Sequence, residues 1–191
     1  GNAVHVAHGG WQARGVWSYT LRPMLEISGS KIGIIGYGNI GKAIAAPLVA
    51  IGATVLPLAL PGREKEGHTP LADALPTLDA IILQCPLTPE TRGLVNDEFL
   101  AQLKPGAILV NTARGPVVDP DAVCRALNSG QLGIYASDVM ETEPPRDGHV
   151  LTSHPKAIVT PHVAWSTDAS RKRLLAATIE NVRGMLADVT A

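Results

Sequence analysis

The chain has 191 residues, 46% of them hydrophobic and 17% charged, which is enough apolar material for one sizeable core and excludes a disordered segment. A formal net charge of −1 argues against nucleic acid or an anionic membrane as partner. Two cysteines without metal-ligand spacing, Cys85 and Cys124, point to a reduced, cytoplasmic setting, and no apolar run reaches the ~18 residues of a membrane span.

Residues 1–30 read as a short helical tail and a connector. They hold Trp11 and Trp17, and Gly9-Gly10 and Arg22-Pro23 interrupt any longer element. His5 and His8 are spaced i, i+3, but no third ligand is close in sequence, so they read as a solvated pair and no metal site is expected. The chain begins at Gly1, not Met, which suggests a processed start or a cut boundary.

From Lys31 the pattern changes. Apolar runs recur at 32–35, 54–58, 80–83, 107–110, 133–137 and 157–160, separated by loops and by helix-compatible stretches at 39–51, 97–103, 119–129 and 168–187. Strands that are apolar on both faces and alternate with helices predict an α/β fold: one doubly wound, Rossmann-type parallel sheet over residues 31–191. Pro47 inside the first of those helices predicts a bend. Pro57 inside the second strand predicts an early end to it.

The first strand runs into Gly36-Tyr-Gly38-Asn39-Ile40-Gly41, which fits G-x-G-x-x-G. Gly36 permits the tight turn, Gly38 lets the backbone approach a pyrophosphate, and Gly41 lets helix and strand pack closely. The helix from Asn39 then offers free N–H groups and a partial positive charge. Later strands end in polar residues. Gln84 to Thr91 follows 80–83, Asn111 to Gly115 follows 107–110, Asp138 to Pro145 follows 133–137, and Pro161-His162 follows 157–160. In this fold ligands sit at the carboxyl ends of the strands. Arg114, Glu143 and His162 therefore share a face with the glycine turn. An arginine grips a carboxylate by two parallel bonds, and a histidine moves a proton near neutral pH with a glutamate to orient its ring. Those groups suit reduction of a 2-oxo acid by hydride.

These segments, with Lys104 to Gly115 and Thr160-Pro-His162, resemble the cofactor-binding domain of the D-isomer-specific 2-hydroxyacid dehydrogenases. Trp11, Pro23, Glu26 and His162-Val-Ala-Trp165 are most similar to the glycerate dehydrogenase (hydroxypyruvate reductase) branch. The resemblance implies that Arg114 holds the substrate carboxylate and 2-oxo group, and that His162 is the acid in reduction and the base in oxidation, with Glu143 as its partner. It implies that Asp138 and the Thr112-Ala113 backbone hold the nicotinamide carboxamide. Gly36, Gly38, Asn39, Ile40, Gly41, Cys85, Pro86 and Thr91 complete the cofactor-binding set. The family is usually dimeric through this domain.

Three departures stand out. The position of the acid that selects NAD falls at about Ala59, and Arg63 follows in reach of a 2′-phosphate, which predicts NADP(H) over NAD(H). Gln84 stands where many relatives carry histidine. About 100 residues that build most of a substrate-covering domain are missing ahead of the glycine turn. The chain is therefore expected to fold and bind cofactor but show little turnover. Two other functions compete: a non-catalytic dinucleotide sensor or corepressor on the same fold, and a methyltransferase with a similar first glycine turn.

Overall fold

The computed structural model describes residues 2–21, 24–60, 62–63 and 65–190, with the backbone alone for residues 188–190. Arg22 and Pro23, the expected break in the connector, lie outside the described residues. The first thirty residues hold α1 (Asn2–Ala7) and α2 (Gly10–Arg14), which meet at Gly9 with φ of 77°. His5 and His8 are not a solvated pair. His5 is partly buried and edge-on to Tyr19, with ring centroids 5.8 Å apart, while His8 stays exposed. The aromatic ring supplies an apolar contact that helical spacing alone did not reveal.

Six strands form one parallel sheet in the order β2-β1-β3-β4-β5-β6. They are β1 (Lys31–Ile35), β2 (Thr54–Leu58), β3 (Ala80–Leu83), β4 (Ala107–Asn111), β5 (Leu132–Ser137) and β6 (Ala157–Val159). The order reverses between β1 and β3, and that switch point opens a crevice at the strands' carboxyl ends.

The register fixes which side chains share a face. Ile34, Ile82, Val110, Ala136 and Ile158 lie level across the sheet on one face. Leu83 and Asn111 are level on the other, beside Ile35. The second face carries the main core. Ile35, Ile81, Leu83, Leu109 and Tyr135 pack there with α4 (Leu71–Ala74), the 3-10 turn Leu75–Thr77, α5 (Asp97–Ala101) and α6 (Pro120–Ser129). Burying each large apolar side chain is worth about 1.5–3 kcal/mol. The first face is covered by α3 (Asn39–Ala50), whose Leu48 packs with Ile32, Ala53 and Ala80. Toward β6 that face opens: Val110 and Ala136 are half-buried and Ile158 is exposed. The final helix, α7 (Asp168–Thr190), is exposed from Arg171 to Ala187. Among the described residues, no helix is long and apolar enough to cross a membrane.

Pro57 does not end the second strand early. β2 is the edge strand, and the Pro57 carbonyl accepts from Thr69 N–H at 2.8 Å on the open side. In a parallel strand the N–H of a residue points the same way as its C=O, so the donor that proline lacks is lost from the edge and not from the ladder with β1. α3 runs on through Pro47, which is exposed, as is Ala43, whose carbonyl loses its helical donor and faces water. The helix starts are locally encoded. The Asp119 side chain accepts from Asp121 N–H at 2.9 Å and Ala122 N–H at 3.2 Å, with Pro120 next. Asn96 accepts from Phe99 N–H at 2.9 Å.

Candidate active site

Main-chain bonds carry the ladder one residue past each strand. Gln84 N–H donates to Ile35 O at 2.8 Å, Asp138 N–H to Asn111 O at 3.0 Å and Thr160 N–H to Ser137 O at 2.9 Å. The functional loops thus leave the sheet side by side. At the switch point Gly36 has φ of 98°, and a Cβ there would stand 2.5 Å from Cys85 N. The turn after β1 rests directly on the turn after β3. A Cβ on Gly41 would stand 2.6 Å from Gly36 O, so helix and turn touch as well. Gly38 differs: its backbone is extended, and nothing lies within 4 Å of where its Cβ would be. That open space sits at the N-terminus of α3, where Asn39 and Ile40 are exposed. It is a cradle that a side chain would fill and that suits an anion.

The wall opposite is built by the 84–91 loop. The Gln84 side-chain amide donates to Thr112 Oγ1 and ties the ends of β3 and β4 together. Cys85 and Thr91 are each 2% exposed. The Thr91 hydroxyl donates to Pro86 O at 2.7 Å and accepts from Thr88 N–H at 2.8 Å, so it shapes this loop from within. Pro86 is exposed. Burial pushes the Cys85 thiol up, which keeps it protonated. Beyond β2, Ala59 N–H donates to Thr69 O at 2.9 Å and the exposed Arg63 closes a short turn onto Leu60. Glu90 lies below its ordinary range, first through the Thr88 hydroxyl, and the Arg63 charge is among the causes.

Arg114, Glu143 and His162 come together at the ends of β4, β5 and β6. Asn111 is fully buried. It accepts from Ala113 N–H at 3.0 Å and donates to Arg114 O at 3.1 Å, which fixes the Thr112–Arg114 turn. The Arg114 guanidinium donates to Ala113 O at 2.7 Å. His162 Nδ1 and Glu143 Oε2 are 2.6 Å apart, and Glu143 Oε1 accepts from Met140 N–H at 2.9 Å. Glu143 is held below the usual glutamate range first by the His162 bond and then by the Met140 N–H, with the His162 and Arg114 charges adding. A cavity of about 390 Å³ beside the pair is lined by Asp138, Met140, Glu143, Val159, Thr160 and His162.

His162 has φ of 53°, a left-handed backbone that costs a non-glycine residue roughly 1–2 kcal/mol. Asp138 holds it there. Its carboxylate accepts from the Thr160 hydroxyl at 2.5 Å, Val163 N–H at 3.0 Å and Ala164 N–H at 2.8 Å. Burial alone would raise the Asp138 carboxyl, but Thr160, Ala164 and Val163 together outweigh it and hold it low. On the far side, Trp165 Nε1–H donates to His162 O at 3.0 Å.

Residues 4–164 match the family described as D-isomer specific 2-hydroxyacid dehydrogenase, NAD binding domain. The chain belongs to this family. With that, the methyltransferase reading falls. Among dehydrogenase relatives, the hydroxypyruvate reductase of Blautia hydrogenotrophica is 37% identical over 192 residues, covering 97% of this chain and 60% of the relative. The glycerate dehydrogenase of Methylorubrum extorquens is 40% identical over 187 residues, covering 97% and 59%. These names match the branch indicated by the sequence motifs. In structure, the D-lactate dehydrogenase of Aquifex aeolicus, complexed with NAD and lactic acid, gives a TM-score of 0.82 at 28% identity, covering 97% of this chain and 62% of that one. The chain spans about three-fifths of the length of these 2-hydroxyacid dehydrogenases.

Several residues that build the site were not singled out by sequence. Asn111 and Ser137 are buried polar residues that close apolar strands, and that position was their signal. Ser137 Oγ donates to Val139 O at 2.6 Å and shapes the turn bearing Asp138. Gly115 has no room for a Cβ, which would fall on the Met140–Glu141 peptide. The Arg114 turn therefore rests on the loop that carries Glu143, a contact no spacing rule reveals.

Proposed function

We propose that this domain holds a nicotinamide dinucleotide along the crevice and, in the complete enzyme, serves hydride transfer between that cofactor and a small D-2-hydroxy or 2-oxo acid of the hydroxypyruvate or glyoxylate type. The observation that carries the reading is the His162–Glu143 pair, 2.6 Å apart beside Arg114 at the mouth of the glycine-turn crevice. The bound reduced nicotinamide supplies the hydride. Gly36, Gly38, Asn39, Ile40 and Gly41 receive its pyrophosphate, and the backbone of Cys85 and Pro86, shaped by Thr91, walls the crevice. Asp138 has used three of about four acceptor positions, which leaves one for a carboxamide N–H beside the Thr112-Ala113 backbone.

Arg114 binds the substrate carboxylate and orients the 2-oxo group. With Nδ1 fixed on Glu143, His162 presents Nε2 to the substrate oxygen. It gives a proton as the oxygen gains charge in reduction and takes it back in oxidation. Arg63 a few residues past the end of β2, with no acid at positions 58–63, supports NADP(H) over NAD(H). Homodimerisation belongs to the same reading, supported by the exposed Trp17, Met24 and Ile158. So does a cytoplasmic location, supported by the free thiols of Cys85 and Cys124.

Calorimetric titration with NADH and NADPH tests the cofactor half. NADPH should bind tighter and lose affinity in Arg63→Ala; tighter NADH, or NADPH binding indifferent to Arg63→Ala, would overturn it. Reduction of hydroxypyruvate and glyoxylate by the complete enzyme tests the chemistry. His162→Ala should lose roughly 10²–10⁴-fold in turnover, and near-normal turnover would refute the assignment.

A further inference from the structure

A second histidine–carboxylate pair stands beside the first. Glu141 Oε1 and His149 Nε2 are 2.6 Å apart, and the His149 side chain is 11% exposed. Its proton can be placed. Nδ1 accepts from Leu151 N–H at 3.2 Å, so Nε2 carries the ring hydrogen and donates to Glu141. The histidine backbone is held too: its N–H donates to Arg146 O at 3.2 Å and its carbonyl accepts from Thr152 N–H at 3.1 Å.

The surrounding loop explains what such a pair can do. Met140 and Leu151 are 7% and 2% exposed and anchor the loop to the body. Between them, residues 141–150 are exposed except for Pro145 and His149, which are partly buried. An exposed loop of this kind has little burial to hold one geometry. Yet Glu143 lies inside it, and its carboxylate must meet both Met140 N–H and His162 Nδ1. Glu141 directly follows one anchor, and His149 stands just before the other. Their bond closes the neck of the loop and removes conformations in which Glu143 swings away. The Arg114 turn secures the same neck from the other side, because Gly115 lets the Met140–Glu141 peptide lie against it.

We propose that Glu141 and His149 are positioning residues: their hydrogen bond closes the 141–150 loop and so keeps the Glu143 carboxylate on the His162 ring. The consequence for turnover rests on the reading of His162 as the proton-transferring residue, but the geometric claim does not.

The test is spectroscopic and uses the 191-residue chain with ¹⁵N-labelled histidine. A ring N–H held on a carboxylate gives a low-field proton signal in slow exchange with water, and the His162 signal is assigned by its loss in His162→Ala. His149→Ala and Glu141→Ala should lose it. His149→Gln, whose amide reaches Glu141, and Glu141→Gln, which still accepts, should keep it. His149→Asn serves Leu151 N–H but falls short of Glu141, and it should behave like His149→Ala with little change in size. Backbone amide spectra of β1, β3, β4 and β5 report that the sheet is intact. A His162 signal that survives His149→Asn with the parent exchange rate would overturn the proposal, as would His149→Gln behaving like His149→Asn. A parent chain without the signal would overturn the pairing itself. A complete enzyme that is inactive while the signals behave as stated would overturn only the catalytic reading.

Discussion

Gly36 and Gly38 share one motif, yet replacing each with alanine should have opposite effects. At Gly36 two penalties meet. The φ of 98° lies where a Cβ costs roughly 1–2 kcal/mol, and the added carbon would stand 2.5 Å from Cys85 N and Gln84 O. Backbone on both sides must yield, and overpacking of that kind costs typically 1–3 kcal/mol. Gly36→Ala should therefore lose on the order of 2–5 kcal/mol, and with a urea slope of roughly 2–3 kcal/mol per molar its midpoint falls by about 1–2 M. Gly38 has an extended backbone with open space in front. Alanine there loses some N-cap preference but restricts the unfolded chain, and the two effects, each below about 1 kcal/mol, nearly cancel. The urea midpoint of Gly38→Ala should stay within about 0.3 M of the parent. Its affinity for reduced cofactor should fall at least about tenfold, or ~1.4 kcal/mol, because the methyl would fill the space proposed for the phosphate. Urea unfolding followed by circular dichroism, with calorimetric cofactor titration on the same samples, separates the two. Parent-like cofactor binding by Gly38→Ala, or destabilisation as large as that of Gly36→Ala, would refute the reasoning.

Three further outcomes are expected. In a carboxyl ¹³C titration Glu143 should titrate below the usual glutamate range. Its ionised form therefore adds stability above the unfolded value of about 4.3, and this is lost as pH falls through the folded value; His162→Ala should move the midpoint up, and an unmoved midpoint counts against the pairing. Gly115→Ala should cost about 1–3 kcal/mol by overpacking and shift the same Glu143 midpoint upward, because the methyl displaces the Met140–Glu141 peptide; unfolding curves showing no loss would refute it. Asp138→Asn should speed amide hydrogen exchange at Val163 and Ala164 on the order of tenfold, through loss of charge-assisted bonds, and unchanged exchange would remove Asp138 as the holder of the His162 loop.

The sequence made the sheet legible because its strands are apolar on both faces and so read as short continuous runs. The glycine turn and the order of polar strand ends located the crevice for the same reason: in a parallel sheet the ends are where the pattern must break. What escaped the sequence depends on three-dimensional neighbours. Pro57 read as a strand breaker because its edge position is a property of sheet order. Leu71, Ala74, Leu75 and Leu78 have helical spacing, but over a span too short to claim α4. The bonds that Thr91 makes inside its own loop, to Pro86 O and from Thr88 N–H, were likewise beyond the reach of its motif. Gly115 and the Glu141–His149 pair matter through contacts across a loop, to which no local spacing gives access.

The strand tips also set how this site can change. From Gly36 past Gln84, Thr112 and Asp138 to Thr160, neighbouring tips are one strand apart, about 4.8 Å each. That interval is kept by main-chain bonds such as Gln84 N–H to Ile35 O and Asp138 N–H to Asn111 O. A change of side chain at one tip therefore leaves the backbone spacing of the row in place, and it reaches the neighbouring tips only where loops touch, as Gly115 does the Met140–Glu141 peptide.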